Sequence, residues 1–264
     1  MKEQLQKLLQ LRANLYVSNK RSVHFTDEKI ERKKELIAKR NGEIVKTKAL
    51  GKITSIDSPE KIYYQAHFQH LIKQRDFFYL EEEVEHRVAR FENNDLIEDK
   101  EIIHPESESV IEKPAVPLFL NGNDERQTFI YDRLAAVKYA ERWWNDFNPA
   151  YFKFENDCTN FISQCLHAGG APMWGYPDRN RGWWMMRQNW SYSWAVANAL
   201  TSYLQHSKRG LRAKEVGSPE ELMLGDVICY DFEGDGRFNH TTIVTGKDAF
   251  GMPLVNAHTA NSRM

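Results

Sequence analysis

The chain has 264 residues, 41% of them hydrophobic, which is enough to bury a core and to support two modest domains. Its 36 Lys and Arg stand against 37 Asp and Glu, a net charge of −1, which excludes the basic excess that general nucleic-acid binding needs. No run of about 18 apolar residues predicts a membrane span, and polar interruptions throughout Met1–Arg12 leave no secretory leader core.

Residues 1–40 read as helical. Leu5, Leu8, Leu9, Leu15 and Tyr16 approximate one apolar stripe, and a second helix is expected after Thr26, with Asp27 and Glu28 favouring its first turn and Asn41-Gly42 ending it. From about residue 43 the pattern turns to strands. Ile62, Tyr64, Ala66 and Phe68 alternate with polar residues, as do Val84, His86 and Val88, while Gln74-Arg75-Asp76 and Asn93-Asn94-Asp95 supply turns. Residues 1–40 are basic and 81–112 acidic, which predicts two solvated faces of opposite sign. Residues 1–110 are therefore expected to form a small α+β domain, whose partner the sequence does not name. Residues 111–126 form a linker, within a Pro-, Glu- and Ser-rich stretch that begins near His104.

A second domain is expected over 127–264. Tyr131, Ala135, Val137, Tyr139, Trp143 and Trp144 mark a helix that ends before Asn148-Pro149. A helix over about 158–168 follows, stopped by Gly169-Gly170, then a Trp-rich loop from Pro172 to Trp190 and a helix from Ser193 to His206. Leu224-Gly225-Asp226 turns into the strand Val227–Tyr230, and two further strands carry His240 and His258. Helices first and an antiparallel sheet after predict an α+β fold with a nucleophile helix packed against the sheet.

Cys158 opens the 158–168 helix. A thiol there lies at the positive end of the helix dipole, which favours the reactive thiolate. His240, downstream on a strand, is the candidate base that takes the thiol proton and returns it to a leaving amine. This order, helix-tip cysteine then strand histidine, is the layout of a papain-like thiol hydrolase. His258 and Asn256 are both candidates to orient the base, two apart on one strand and so about 6–7 Å from each other. Asp157, Asn160 and Gln164 are candidates to form or support an oxyanion hole, with helix capping the stronger expectation for Asp157. Core packing is the default expectation for Trp183, Trp184 and Trp190 in that loop, which could also wall a substrate groove, since aromatic faces suit sugar rings and peptide backbones. Cys165 and Cys229 read as core residues, and an odd count of three cysteines argues against a disulfide scaffold. Asp231, Glu233, Asp235 and Gly236 mimic the start of a calcium loop, but its twelfth position is Thr242, so a polar hairpin turn is expected. No metal or cofactor is expected.

The segments Tyr131–Tyr139 with Trp143-Trp144, Asp157–Phe161 with Ser163-Gln164, Ala168-Gly169-Gly170, Ser191–Trp194, Leu224-Gly225-Asp226, Asp235-Gly236 with Asn239-His240, and Ala257-His258-Thr259 together resemble the bacterial putative amidase domain family, grouped with NlpC/P60 and CHAP cysteine hydrolases of the papain-like superfamily. The resemblance covers about residues 128–264. It implies Cys158 as nucleophile, His240 as base and His258, through the His-Thr pair, as third member. It also implies hydrolysis of an amide, most often in peptidoglycan peptides or fragments, through a thioester. Relatives continue for another strand or so past the point where this chain stops, which implies a shortened sheet. The competing expectations are a non-catalytic binding protein on a degenerate hydrolase scaffold, and a transamidase or acyltransferase on protein substrates. With no leader the chain is expected in the cytoplasm, with export to the cell wall by another route as the alternative.

Overall fold

The computed structural model describes residues 1–18, 27–102, 129–258 and 261–263. The chain divides into two compact units, one comprising Met1–Pro105 with Asp248–Phe250 and Ala260–Met264, the other Glu106–Lys247 with Gly251–Thr259. The expected linker, 111–126, lies outside the described residues. No helix among the described residues is long and apolar enough to cross a membrane.

The first unit opens with α1 (Lys2–Val17) and α2 (Glu28–Lys39). Asp27 starts α2 by accepting from the N–H groups of Lys29 and Ile30. Asn41, at φ 57°, ends it, and the Gly42 N–H returns to the Ile37 carbonyl at 2.9 Å. Then come β1 (Glu43–Ser58), β2 (Lys61–Gln74), β3 (Phe77–Glu92) and β4 (Asp95–Glu101), an antiparallel meander. Asn93 and Asn94 both have positive φ, which suits the tight turn joining β3 to β4. Alternation on β2 buries Ile62, Tyr64, Ala66, Phe68 and Ile72, and α1 buries Leu5, Leu9, Ala13 and Tyr16, with Tyr16 against Phe68 at 5.7 Å between ring centroids. Leu9 packs close over Gly51 of β1, where a Cβ would lie 2.8 Å from Leu9 Cδ1 and would make that side chain shift.

Charge is where this unit departs from the sequence reading. The basic and acidic stretches are not separate solvated faces. Arg12, Glu81, Glu82, Glu85 and Arg87 are buried. Arg12 meets Glu85 at 2.8 Å and Asp27 at 2.9 Å, and Lys29 meets Glu85 at 2.6 Å. Arg40 meets Glu81 at 2.5 Å, and Arg87 joins Glu85 at 2.7 Å to Asp99 at 2.6 Å. The two stretches find each other because a charge taken out of water is tolerated only beside its counter-charge. His70, fully buried, lies between Thr47 Oγ1 at 3.0 Å and Glu83 Oε1 at 3.4 Å, and burial pushes its pKa down. Burial alone would raise Glu83 and Glu85. The His70 bond and the charges of Lys33 and Lys29 instead hold Glu83 well below the usual carboxylate range, and Lys29 and Arg12 hold Glu85 down. At the chain's end β10 (Ser262–Arg263) pairs with Glu83 and Glu82 of β3.

The second unit contains α3 (Arg133–Trp143), α4 (Cys158–Ala168), the two-residue strands β5 (Met185–Met186) and β6 (Asn189–Trp190), α5 (Tyr192–Ala195), α6 (Ala197–His206) and the antiparallel strands β7 (Val227–Tyr230), β8 (His240–Lys247) and β9 (Pro253–Ala257). The helix expected over 193–206 is two pieces, broken at Val196, whose backbone is extended at φ −120° and ψ 123°. Its core gathers Phe161, Ile162, Cys165 and Leu166 of α4 with Trp183, Trp194, Leu200, Tyr203 and Ile243. Each such apolar side chain contributes about 1.5–3 kcal/mol by leaving water. The Leu224-Gly225-Asp226 turn is clasped from the start of α3: Tyr131 donates to the Gly225 carbonyl at 2.8 Å, and Arg133 reaches Asp226 at 2.6 Å. These matched segments therefore join helix to sheet. The unit is α+β, as read from the sequence.

Candidate active site around Cys158

Cys158 is the first residue of α4. Every residue of it from Cys158 to Leu166 is buried, polar side included. Its polar side survives burial because each polar side chain has a partner. Asn160 Nδ2 donates to the Phe152 carbonyl and to Asp157 Oδ1, both at 2.9 Å, while its Oδ1 accepts from the Trp194 indole at 2.8 Å. Ser163 donates to the Trp194 carbonyl at 2.8 Å and accepts from the Trp183 indole at 3.0 Å. Gln164 accepts from the Tyr139 hydroxyl at 2.6 Å. The side chains of Asn160 and Gln164 are thus tied into the interior, where they can brace the start of α4 but are not turned out to donate to an oxyanion themselves.

Asp157 sits at the N-cap of α4, yet its side chain makes no cap bond. Its Oδ1 accepts from the Phe154 N–H at 3.0 Å and from Asn160, and its Oδ2 faces His258 Nδ1 at 2.8 Å. The capping expectation is therefore corrected. Asp157 holds the loop leading into α4 and leaves the N–H groups of the first helical turn uncapped by its carboxylate.

His240 is the first residue of β8, half-buried, with its ring beside those of Tyr230 and Phe232 at 6.0 and 6.2 Å between centroids. The next residue, Thr241, donates from Oγ1 to Thr159 Oγ1 at 3.3 Å, so the residues following His240 and Cys158 touch. Cys229 pairs with Thr241 across β7 and β8. Burial pushes the Cys229 thiol up and Cys158 adds to that, while the bond from Thr201 opposes it. Burial also holds the Cys165 thiol well above its usual range. Both are poor competitors for a thiol reagent.

His258 is buried in the turn after β9. Its Nε2 lies 2.7 Å from the Trp143 carbonyl and its Nδ1 2.8 Å from Asp157. Both ring nitrogens are engaged, so neither remains to orient His240, the role favoured for it above. Its rival Asn256, also buried, donates to Glu141 at 2.9 Å and accepts from Thr245 at 3.0 Å. Thr259, of the matched His-Thr pair, lies outside the described residues.

Trp183 and Trp184 are interior residues and cannot wall a groove. Trp184 donates to the Asp178 and Arg181 carbonyls at 3.2 and 3.1 Å. Trp190 is half-buried. It stacks on Phe152 at 5.0 Å, meets Phe154 edge-on at 4.6 Å and lies under the Arg179 guanidinium at 4.9 Å. Asp231 turns its carboxylate onto the N–H groups of Gly234, Asp235 and Gly236, which makes the expected polar turn. Among the described residues, the group that could hold a cation is Asp231, Glu233 and Asp235, half-buried and exposed on that turn.

The sequence reading missed the contacts that organise the site: Thr159 with Thr241, Tyr139 with Gln164, and the Trp143 carbonyl. The Trp143-Trp144 pair drew attention as side chains, whereas the group that meets His258 is a backbone oxygen, which no sequence pattern displays.

The profile of the putative amidase domain family matches residues 130–264. The chain is similar to the uncharacterized protein YhbB of Bacillus subtilis (strain 168), 51% identical over 249 residues, covering 89% of this chain and 78% of that protein. It is also similar to the uncharacterized protein YjcM of the same organism, 30% identical over 179 residues, covering 62% of this chain and 40% of YjcM. No solved structure matches.

Proposed function

From the premise that this chain belongs to the putative amidase domain family, we propose that it is a cysteine-dependent amide hydrolase acting on peptidoglycan peptides or their fragments, with Cys158 as nucleophile and His240 as general acid–base. The observation that carries the reading is the Thr159–Thr241 bond, which sets the first turn of the cysteine helix beside the first residues of the histidine strand; it fixes the nearness of the two segments, and the pairing of the two side chains is the proposal. His240 accepts the Cys158 proton, and the thiolate attacks the amide carbon. The oxyanion that forms is met by the N–H of Cys158, which as the first residue of α4 has no partner within the helix. His240 then protonates the leaving amine, and water hydrolyses the thioester. The shelf of Phe152, Phe154 and Trp190 is one wall of the substrate groove. It hangs from the helix start through the Asp157–Phe154 and Asn160–Phe152 bonds.

The test is incubation of the protein and its Cys158→Ala variant with defined muropeptides, followed by mass spectrometry. Cleavage by the parent and none by the variant is the expected result. Equal cleavage by both would end the thiol reading, and products joined to an added amine would make the enzyme a transamidase.

A further inference from the structure

His258 is placed against two oxygen atoms. The Trp143 carbonyl, 2.7 Å from Nε2, has lone pairs and no hydrogen, so Nε2 carries one. At Nδ1 the neighbour is Asp157 Oδ2, 2.8 Å away. An imidazole lone pair facing a bare carboxylate oxygen at that distance would repel, so a proton lies between them. The pair is then electrically neutral whichever atom holds that proton, as imidazolium with carboxylate or as imidazole with carboxylic acid.

The surroundings suit a neutral pair. The ring stacks on Phe161 of α4 at 4.0 Å with planes 10° apart, and meets Phe147 edge-on at 5.1 Å. Side chains of Asp157 and His258 are 2% and 3% exposed, where a lone charge is costly. The remaining oxygen of Asp157 accepts two N–H groups, from Phe154 and Asn160. Asp157 is also the residue before Cys158. A bare carboxylate there would repel the thiolate that the chemistry requires.

We infer that Asp157 and His258 form a charge-neutral, proton-sharing pair in which His258 is a positioning residue: it cancels the carboxylate beside the nucleophile and fixes the loop that enters α4. The catalytic meaning rests on the thiol-hydrolase reading; the pair itself does not.

Two measurements test it. In the unmutated chain with 15N-labelled histidine, the imidazole in contact with Phe161 should show Nε2–H together with a slowly exchanging proton at the Nδ1–Asp157 bond. Only one ring proton there, with an ionised Asp157 carboxylate, would overturn the inference. Alkylation of Cys158 gives the second readout. His258→Gln should slow it roughly fivefold to tenfold at neutral pH and move its pH–rate profile upward, because the carboxylate is left uncancelled. Adding Asp157→Asn to His258→Gln should return the profile toward that of the parent, since the charge is gone. A purely packing role for His258 predicts no such recovery, and its absence would sink the idea. Neither readout uses turnover, so a Cys158→Ala variant that still cleaved substrate would remove the hydrolase reading and leave the pair to be judged by the spectrum.

Discussion

Both units bury polar groups, and they do so by opposite means. The first sets charge against charge: Arg12, Lys29, Arg40 and Arg87 against Glu81, Glu85 and Asp99. The second buries Ser163, Gln164 and Thr159 in uncharged bonds, and meets its buried carboxylate, Asp157, with the Asn160 amide and a histidine. An ion-pair lattice makes stability depend on every partner and on pH. A mostly uncharged network instead fixes positions around a thiol without surrounding it with strong fields. The first arrangement suits a scaffold and the second a reaction centre.

The comparison is broken most severely at the proposed reaction centre. His240→Ala should lower kcat/KM by about 10²–10⁴, the usual contribution of a general acid–base, with little change in the stability of the second unit because the side chain is half-buried. Turnover on a muropeptide and thermal unfolding measure the two halves of that statement. Retained turnover would move the base elsewhere.

In the first unit the corresponding cut is Arg12→Ala. It leaves Glu85 and Asp27 without one cation in a buried setting, and should destabilise that unit by about 3–5 kcal/mol. Urea unfolding followed by a probe in residues 1–102 would show it. A loss below about 1 kcal/mol would mean that the pairs behave as surface salt bridges do.

Acid should separate the units further. Glu83 and Glu85 have lowered pKa values when folded, so their stabilisation is complete above the ordinary carboxylate value of 4.5 and is lost as pH falls through the folded value. His70 is also lowered. Below the ordinary histidine value of 6.5 the unfolded chain takes a proton that folded His70 resists, which again favours unfolding in acid. The first unit should therefore lose stability from about pH 6.5 downward, most steeply below pH 4.5. His70→Gln should flatten the upper part of that curve. An unaltered curve between pH 6.5 and 5 would show that His70 does not contribute.

How much of this was legible in the sequence depends on the kind of contact. Alternation along β2 was readable because Ile62, Tyr64, Ala66 and Phe68 obey the strand period and face one core. The cysteine at the helix start was readable because N-terminus, apolar spacing and the closing glycines are all local signals. Burial of Arg12 was not, since its counter-charge is Glu85, 73 positions away. Core packing was the default reading of Trp183 and Trp184, but their indole partners, Ser163 for one and the Asp178 and Arg181 carbonyls for the other, carry no sequence signal. His258 stood out in the sequence as a candidate site histidine but not as Asp157's partner, 101 positions distant.

The mildest test lies in two aspartates that cap helices, one in each unit. Asp132 accepts the Ala135 N–H at 2.9 Å to start α3, an exposed bond. Asp132→Ala should cost about 1 kcal/mol, the ordinary worth of such a cap. Asp27 starts α2 in the same way, but its Oδ2 also meets the buried Arg12 at 2.9 Å. Asp27→Ala should therefore cost more than Asp132→Ala, by the part of Arg12's pairing that Glu85 alone does not supply. Asp27→Ser separates the terms, because a hydroxyl keeps the cap and drops the charge. If serine restores the stability fully, Asp27 is only a cap, and the first unit's lattice ends at Glu85. If it restores about as much as the cap in α3 is worth and no more, the remainder belongs to Arg12, and charge pairing reaches the start of α2.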